Sequence, residues 1–248
     1  MAYAKEFYVT VKSNDSMEYF PSNTPSDFYI KLPYSMTLGG DWDVAVSQVW
    51  IDKMWFNVED AHVTITEITK DGTHTGENVT KQLDDGYYSD IVELLNTLNE
   101  CTLLNDRQVC EFEFNHKTHK VQIRVLDGFK LLISPKLRDI IGCETVGVMG
   151  KQTLGKCVNL HVRNSLLYIC TDIVSGQICS DTTSGVVKVV GTKQYNFGEV
   201  IYDCNITNYA RIRVDSFDVI HIQIRDMEKD IIKNVGGKTV VQLHFRRG

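Results

Sequence analysis

The sequence predicts an all-β protein, and three observations support that prediction. The sequence has ten or eleven candidate strands, and most of them alternate hydrophobic and polar residues with the period of a half-buried strand. Only two segments show the longer period of a helix. The composition of the 248-residue chain, 43% hydrophobic and 23% charged, is typical of a globular protein and not of a disordered or fibrous one.

Many strands, few helices and long connections favour a single jelly-roll β-sandwich, in which two antiparallel sheets face each other and short helices are inserted. An immunoglobulin-type sandwich is usually nearer ~100 residues and carries a Cys…Trp…Cys pattern that this chain lacks. No repeat and no linker rich in Pro, Gly or Ser divides the sequence. We therefore expect one domain over residues 1–248.

Two predicted strands have side-chain patterns that can be checked. In the third predicted strand, Trp42, Val44, Val46 and Gln48 are expected on one face. The segment 166–173 is a nearly continuous apolar run. Such a run indicates a strand that is central in its sheet or buried on both faces.

The helical signal is confined to two places. A helix is predicted near residues 89–98, with Ser89 as its N-cap. A shorter helix is predicted from Pro135, the first helical position, to Ile141, with Gly142 ending it. The apolar face of the first helix contains Ile91, Leu94, Leu95 and Leu98.

Charge and hydropathy argue against some classes of binding partner, namely nucleic acid and membranes. The net charge of −6 argues against broad electrostatic binding to nucleic acid. A weak or local contact with nucleic acid, or a contact with an acidic partner, could still be made by Arg246 and Arg247. A solubilising chain end is the simpler interpretation of this pair. No run approaches the ~18 apolar residues that cross a bilayer, so no membrane span is expected. The first residues lack the apolar segment of a secretory signal peptide.

Seven cysteines are widely spaced, and no Cys-x-x-Cys pair occurs, which disfavours a zinc site. Most lie among apolar residues, where a free thiol acts as a small core side chain. We expect reduced thiols and a reducing compartment. The seven are Cys101, Cys110, Cys143, Cys157, Cys170, Cys179 and Cys204.

Motifs for nucleophilic, phosphate-binding, zinc-protease or dinucleotide chemistry do not occur in the sequence. We therefore predict no enzyme activity, no catalytic residue, no cofactor and no small-molecule substrate. His116 and His119 fall in the polar turn of a predicted hairpin, and a solvated turn is the favoured interpretation.

Two further groups of residues have a spacing that weakly suggests a metal site or a cross-strand pair. Asp226, Glu228 and Asp230 alternate as in a calcium loop, but the glycine that such a loop needs does not follow. His221 and His244 would face each other if the last two strands pair. Two unrelated sheet histidines are the favoured interpretation.

A dense motif fills the N-terminal quarter and continues more thinly along the chain. The motif residues are Phe7, Tyr8, Ser13, Asn14, Tyr19, Phe20, Pro21, Asn23 and Trp42, followed by Gly86, Tyr87 and Tyr88. This motif resembles the penton, or minor capsid, protein of Polinton (Maverick) elements, adintoviruses and virophages. The closing segments 216–226 and 243–247 also match that family's pattern.

The resemblance implies a structural virion protein with two facing four-stranded sheets. It implies a homo-pentamer at the capsid vertex, beside a major double jelly-roll capsid protein, made in the host cytoplasm and assembled in the nucleus or the cytoplasm. The motif residues would then serve structure and assembly. Tyr19, Phe20 and Pro21 would either pack under the first turn or reach a neighbouring subunit.

Two alternatives stay open. A non-viral β-sandwich binding module, cytokine-like or carbohydrate-binding, would have the same strand pattern. A domesticated host protein derived from a capsid gene would keep the fold after losing assembly.

Overall fold

The computed structural model describes residues 5–69, 76, 78–179, 182–205 and 208–248, with the backbone alone at Cys179 and Thr182. These residues divide into two compact units. Unit 1 comprises Met1–Trp55 and Arg163–Gly248, and unit 2 comprises Phe56–Val162. Each has its own hydrophobic core, and the expected single domain over residues 1–248 stays a prediction.

The described part of the chain is mostly strand, with two short helices. In chain order the elements are β1 (Glu6–Lys12), β2 (Asp27–Thr37), β3 (Trp42–Asp52), β4 (His62–Glu67), β5 (Val79–Gln82), α1 (Ile91–Cys101), β6 (Leu103–Leu104), β7 (Arg107–Gln108), β8 (Cys110–Asn115), β9 (Lys120–Val125), β10 (Phe129–Ile133), α2 (Pro135–Ile141), β11 (Gly147–Val148), β12 (Lys151–Thr153), β13 (Leu166–Thr171), β14 (Gln177–Cys179), β15 (Thr182–Ser184), β16 (Val186–Gly191), β17 (Val200–Asp203), β18 (Ala210–Arg211), β19 (Ser216–Arg225) and β20 (Thr239–Arg247).

Unit 1 is a jelly roll. Its first sheet has the order β1-β20-β3-β17, with β18 also paired to β3, and its second sheet has the order β16-β13-β19-β2. Counted along the chain, these eight strands run first-eighth-third-sixth in one sheet and fifth-fourth-seventh-second in the other. The interleaving of early and late strands in both sheets is the jelly-roll arrangement. The predicted fold class is confirmed.

The core of unit 1 lies between its two sheets. Val44 and Phe245 of the first sheet and Phe28 and Ile222 of the second are fully buried in one apolar cluster. The rings of Phe217 and Phe245, one from each sheet, have centroids 6.0 Å apart. Alternating inward residues of both sheets therefore build the interior, as in other β-sandwiches.

A β-bulge changes which residues of β3 share a face. The register with β20 shifts where Gln242 pairs with Gln48 and Leu243 pairs with Val46, so Ser47 is the extra residue. The bulge moves the inward face onto Val49, which is fully buried, whereas Gln48 is half-exposed. The prediction that Gln48 shares a face with Trp42, Val44 and Val46 is wrong for this reason.

The other burial prediction for unit 1 is confirmed. β13, from the apolar run at residues 166–173, lies between β16 and β19. It is therefore central in the second sheet.

Unit 2 contains the sheets β11-β10-β4-β5 and β12-β9-β8, the β6–β7 pair and both described helices. The predicted apolar face of α1 is buried at all four positions. Its N-cap is Asp90, whose side chain accepts the N–H of Glu93, so the prediction of Ser89 as the cap is wrong by one residue. Ser89 instead donates from its N–H and its hydroxyl to the Glu93 carboxylate, both at 2.8 Å.

The second helix matches its prediction. α2 starts at Pro135, and Gly142 ends it in the left-handed conformation with φ of 78°. In the described residues no helix is long and apolar enough to cross a membrane.

Candidate functional site

The predicted motif residues fall into groups with different surroundings. Phe7 turns into the core of unit 1, where it stacks on Phe245 with ring centroids 4.7 Å apart and tilts against Trp42 at 5.4 Å. Trp42 is 8% exposed, and its indole N–H donates to the Gly39 carbonyl at 3.3 Å. These aromatic contacts fasten the first strand to the sandwich.

Tyr8 lies on the opposite face of β1 and forms part of a polar aromatic cluster. Its ring stacks on His244, with centroids 4.4 Å apart. The two ring nitrogens of His244 contact the Tyr209 hydroxyl at 2.8 Å and the Glu6 carboxylate at 3.2 Å. Arg246 lies over the Tyr209 ring, 3.4 Å from its centroid, in a cation–π contact.

The Arg246 and Arg247 pair is therefore anchored on its own chain. Arg247 donates its backbone N–H to the Lys5 carbonyl at 2.9 Å, and both side chains are exposed. The expected contact with nucleic acid or an acidic partner stays a prediction.

The connection between β1 and β2 is held by side chains bonded to backbone. Ser13 is 4% exposed and exchanges hydrogen bonds with Thr239: its backbone N–H donates at 2.9 Å, and its hydroxyl accepts at 3.0 Å. The Asn23 amide bonds both the N–H and the C=O of Tyr29, each at 2.9 Å. The Ser16 hydroxyl accepts the Lys31 N–H at 3.0 Å. The connection thereby covers the free edge of β2.

The aromatic residues of this connection differ in their exposure to solvent. Phe20 is half-buried and packs against Tyr29 with centroids 5.4 Å apart, whereas Tyr19 is 61% exposed. Pro21 and Asn14 are also exposed.

Gly86, Tyr87 and Tyr88 belong to unit 2, so they form a separate group. Gly86 exchanges backbone hydrogen bonds with Val58, at 3.0 and 3.1 Å. Tyr88 is buried, and Asn57 bonds both its N–H and its C=O at 2.9 Å. The Tyr87 ring lies 6.3 Å from His161. Whether these residues serve assembly stays a prediction.

The three carboxylates with calcium-like spacing converge on an arginine. Nη2 of Arg163 lies 3.4 Å from Asp226, 2.7 Å from Glu228 and 2.8 Å from Asp230. A guanidinium therefore occupies the place that a cation would need. Among the described residues, no group of three or more His, Cys, Asp or Glu could hold a metal ion.

The histidines are placed as the favoured interpretations predict. His116 and His119 are exposed in the β8–β9 turn. His221 and His244 lie in different sheets, so they do not face each other across a ladder.

The six cysteines with described side chains are free thiols. The side chain of Cys179 lies outside the described residues. Burial, with a smaller effect of Glu111, raises the pKa of the Cys110 thiol to about 12.

Sequence reasoning missed a buried lysine. Lys53 is 1% exposed, and its ammonium donates to the carbonyls of Thr192 and Tyr195. Burial lowers its pKa from the ordinary value, and the Glu199 carboxylate partly opposes that shift. Lys53 directly follows the third strand, and no pattern in the sequence predicts that it is buried.

The chain was compared with family models, curated proteins and solved structures. No family model matches the chain, and no curated protein matches it. Among solved structures, it is similar to the crystal structure of the selenomethionine-labelled mavirus penton protein, with a TM-score of 0.51. The match covers 99% of this chain and 100% of that chain at 16% sequence identity.

The chain has a penton-like fold. The resemblance expected from the motif residues is thus confirmed for the fold. The match extends over both units, so the penton-like chain includes unit 2 as well as the jelly roll.

Proposed function

We propose that this chain is a structural virion protein, a penton that forms capsid vertices as a ring of five copies. The observation that carries the proposal is the end-to-end likeness in fold to the mavirus penton protein. The motif residues support it independently, because their resemblance to the family is a property of the sequence alone. The major double jelly-roll capsid protein is the proposed neighbour in the shell.

A ring of identical copies uses one surface against a different surface of the next copy, and closes when the rotation fits. Aromatic residues are enriched in such interfaces. Tyr19 is suited to this role because it is 61% exposed on a connection that Asn23 and Ser16 hold to β2. We therefore assign Tyr19, and not Phe20, to contact with a neighbouring subunit.

Mass photometry of the full chain tests the proposal. A pentamer has a mass of about 141 kDa, five times the chain mass of 28.2 kDa. Tyr19→Ser should lower the pentamer fraction, whereas Tyr19→Phe, which keeps the ring, should preserve it. Monomer alone at all salt and pH conditions, with and without the major capsid protein, would contradict the proposal.

The proposal also covers where the protein resides and whether it catalyses a reaction. The protein would reside at the vertex of the virion after synthesis in the host cytoplasm, with no catalytic step. A persistent monomer would favour a non-viral binding module or a domesticated capsid protein.

A further inference from the structure

A cavity of about 340 Å³ opens on the outer face of the second sheet of unit 1. Its floor contains outward side chains of the adjacent strands β13 and β19, and residues 183–186 line it further. The volume falls within the roughly 300–1,000 Å³ of small-molecule sites. The cavity lies away from the cluster around Tyr8 and His244, which belongs to the first sheet.

The strand register separates the charges along this cavity. Arg225 lies directly opposite Tyr168 across the β13–β19 ladder, and Lys229 also lines the cavity. Asp172 follows the end of β13, four residues beyond Tyr168, which corresponds to about 13 Å along an extended chain. The cavity therefore has a cationic end with an aromatic ring, and an end with a carboxylate acceptor.

The cationic end is held in position by hydrogen bonds. Nε and Nη2 of Arg225 donate to the Gln223 side-chain oxygen at 3.3 and 2.7 Å, and Nη1 donates to the Lys229 carbonyl at 2.6 Å. The Gln223 amide in turn donates to Asp27 at 3.3 Å. Within the described residues, these bonds use three of the five guanidinium N–H groups. The fixed group can thus face a ligand at little cost in side-chain entropy.

The Asp172 end is also ordered. The Asp172 carboxylate accepts the backbone N–H of His221 at 3.1 Å. The His221 ring stacks on Tyr29, with centroids 3.8 Å apart, and contacts Asp27. The hydroxyls of Thr183 and Ser184 belong to the residues lining the wall.

We propose that this cavity binds an acidic saccharide of about two sugar units. The ligand carboxylate would pair with Arg225, whose planar guanidinium matches carboxylate geometry, and with the Lys229 ammonium. A sugar ring would lie against Tyr168. Hydroxyls of the other sugar would donate to Asp172 and bond the residue 183–184 wall.

Both ends of the cavity select this ligand class. A small inorganic anion would pair with the cations, but it would supply no hydroxyl donor to Asp172 and would span only part of the cavity. A neutral disaccharide would bond the Asp172 carboxylate and the wall hydroxyls but would form no ion pair with Arg225. The inference is independent of the proposed capsid role, since it uses one face of unit 1 alone.

Titration of the full chain by ligand-observed NMR and calorimetry tests the site with matched probes. Cellobiouronic acid and cellobiose differ only in one carboxylate, and inorganic phosphate supplies the anion alone. We expect saturable binding of cellobiouronic acid, at least about tenfold tighter than that of cellobiose or phosphate. Equal binding of the two disaccharides, phosphate binding as tight as that of the acid, or no saturation would overturn the proposal.

Variants locate the binding on the cavity. Arg225→Gln and Lys229→Asn should each weaken binding of cellobiouronic acid several-fold, whereas Lys233→Ala removes an exposed positive charge outside the lining and should leave binding unchanged. Lys229→Asn suits the positive φ of 71° at that residue, so it keeps the test valid if Arg225→Gln fails to fold. Unchanged binding in Lys229→Asn, or an equal loss in Lys233→Ala, would contradict the assignment.

Discussion

The side-chain amide of Asn23 pairs with both backbone polar groups of Tyr29, at 2.9 Å to the N–H and 2.9 Å to the C=O. Tyr29 lies on β2, the edge strand of the second sheet, so the amide takes the place of a neighbouring strand at that point. An exposed strand edge invites pairing with another chain. Asn23, one of the motif residues, therefore has a local structural role within a single chain, apart from any role in assembly.

Replacing Asn23 should lower the free energy of unfolding. Asn23→Ala removes two hydrogen bonds to backbone and is expected to cost about 1–2 kcal/mol. Asn14→Ala is the matched control, since Asn14 is an exposed asparagine of the same connection, and it should change stability by less than about 0.5 kcal/mol. Urea denaturation of both variants measures the difference. Equal effects of the two substitutions would show that the Asn23 amide does not hold the edge.

Two glycines with positive φ separate backbone strain from steric clash. Gly142 has φ of +78°, and a Cβ there would lie 2.4 Å from the Lys156 carbonyl oxygen. Gly150 has φ of +61° with no heavy atom within 4 Å of such a Cβ. Gly150→Ala should cost about 1 kcal/mol, and Gly142→Ala clearly more. Denaturant midpoints report the order, and a Gly142→Ala cost no larger than that of Gly150→Ala would contradict the packing around α2.

The buried Lys53 predicts how stability changes at alkaline pH. Burial lowers the pKa of Lys53 below the ordinary 10.5. At pH values between this lowered pKa and 10.5, the folded protein therefore binds fewer protons than the unfolded chain. The contribution of Lys53 to stability must therefore rise with pH through that window.

Lys53→Met removes this contribution. Relative to the variant, the wild-type protein should gain stability from about pH 7 to about pH 10, measured by urea denaturation at both values. Lys12→Met, at an exposed position of β1, is the control and should follow the wild type. A parallel pH dependence of wild type and Lys53→Met would refute the burial of the ammonium.

Thiol reactivity should follow burial. With its pKa raised to about 12, Cys110 should react slowly with iodoacetamide in the folded protein near pH 8, whereas the exposed Cys157 and Cys204 should react quickly. Peptide mass spectrometry after short labelling gives the rate at each cysteine. Labelling in denaturant serves as the control, where all three should react alike. Fast modification of Cys110 in the folded state would contradict its placement in the core of unit 2.

Local features of the fold were predictable from sequence, because they depend on neighbours along the chain. The buried face of α1 follows from the spacing of Ile91 and Leu94, and the end of α2 follows from Gly142. The central position of β13 follows from its apolar run.

Long-range features were not predictable in this way. The bulge at Ser47 depends on the register with β20, almost 200 residues later in the chain, and it turns Gln48 away from the face predicted for it. The cavity on the second sheet arises only when β13 and β19 become neighbours and bring Tyr168 beside Arg225. The pairing of Asn23 with Tyr29 likewise needs the connection to fold back on β2.

The symmetry of the purified oligomer tests the central claim most directly. Electron-microscopic class averages of the full chain, alone or with the major capsid protein, should show closed rings with five-fold symmetry. Rings of three would instead indicate a cytokine-like binding module. Three-fold particles, or single chains under every condition, would contradict the proposal that this penton-like fold forms a capsid vertex.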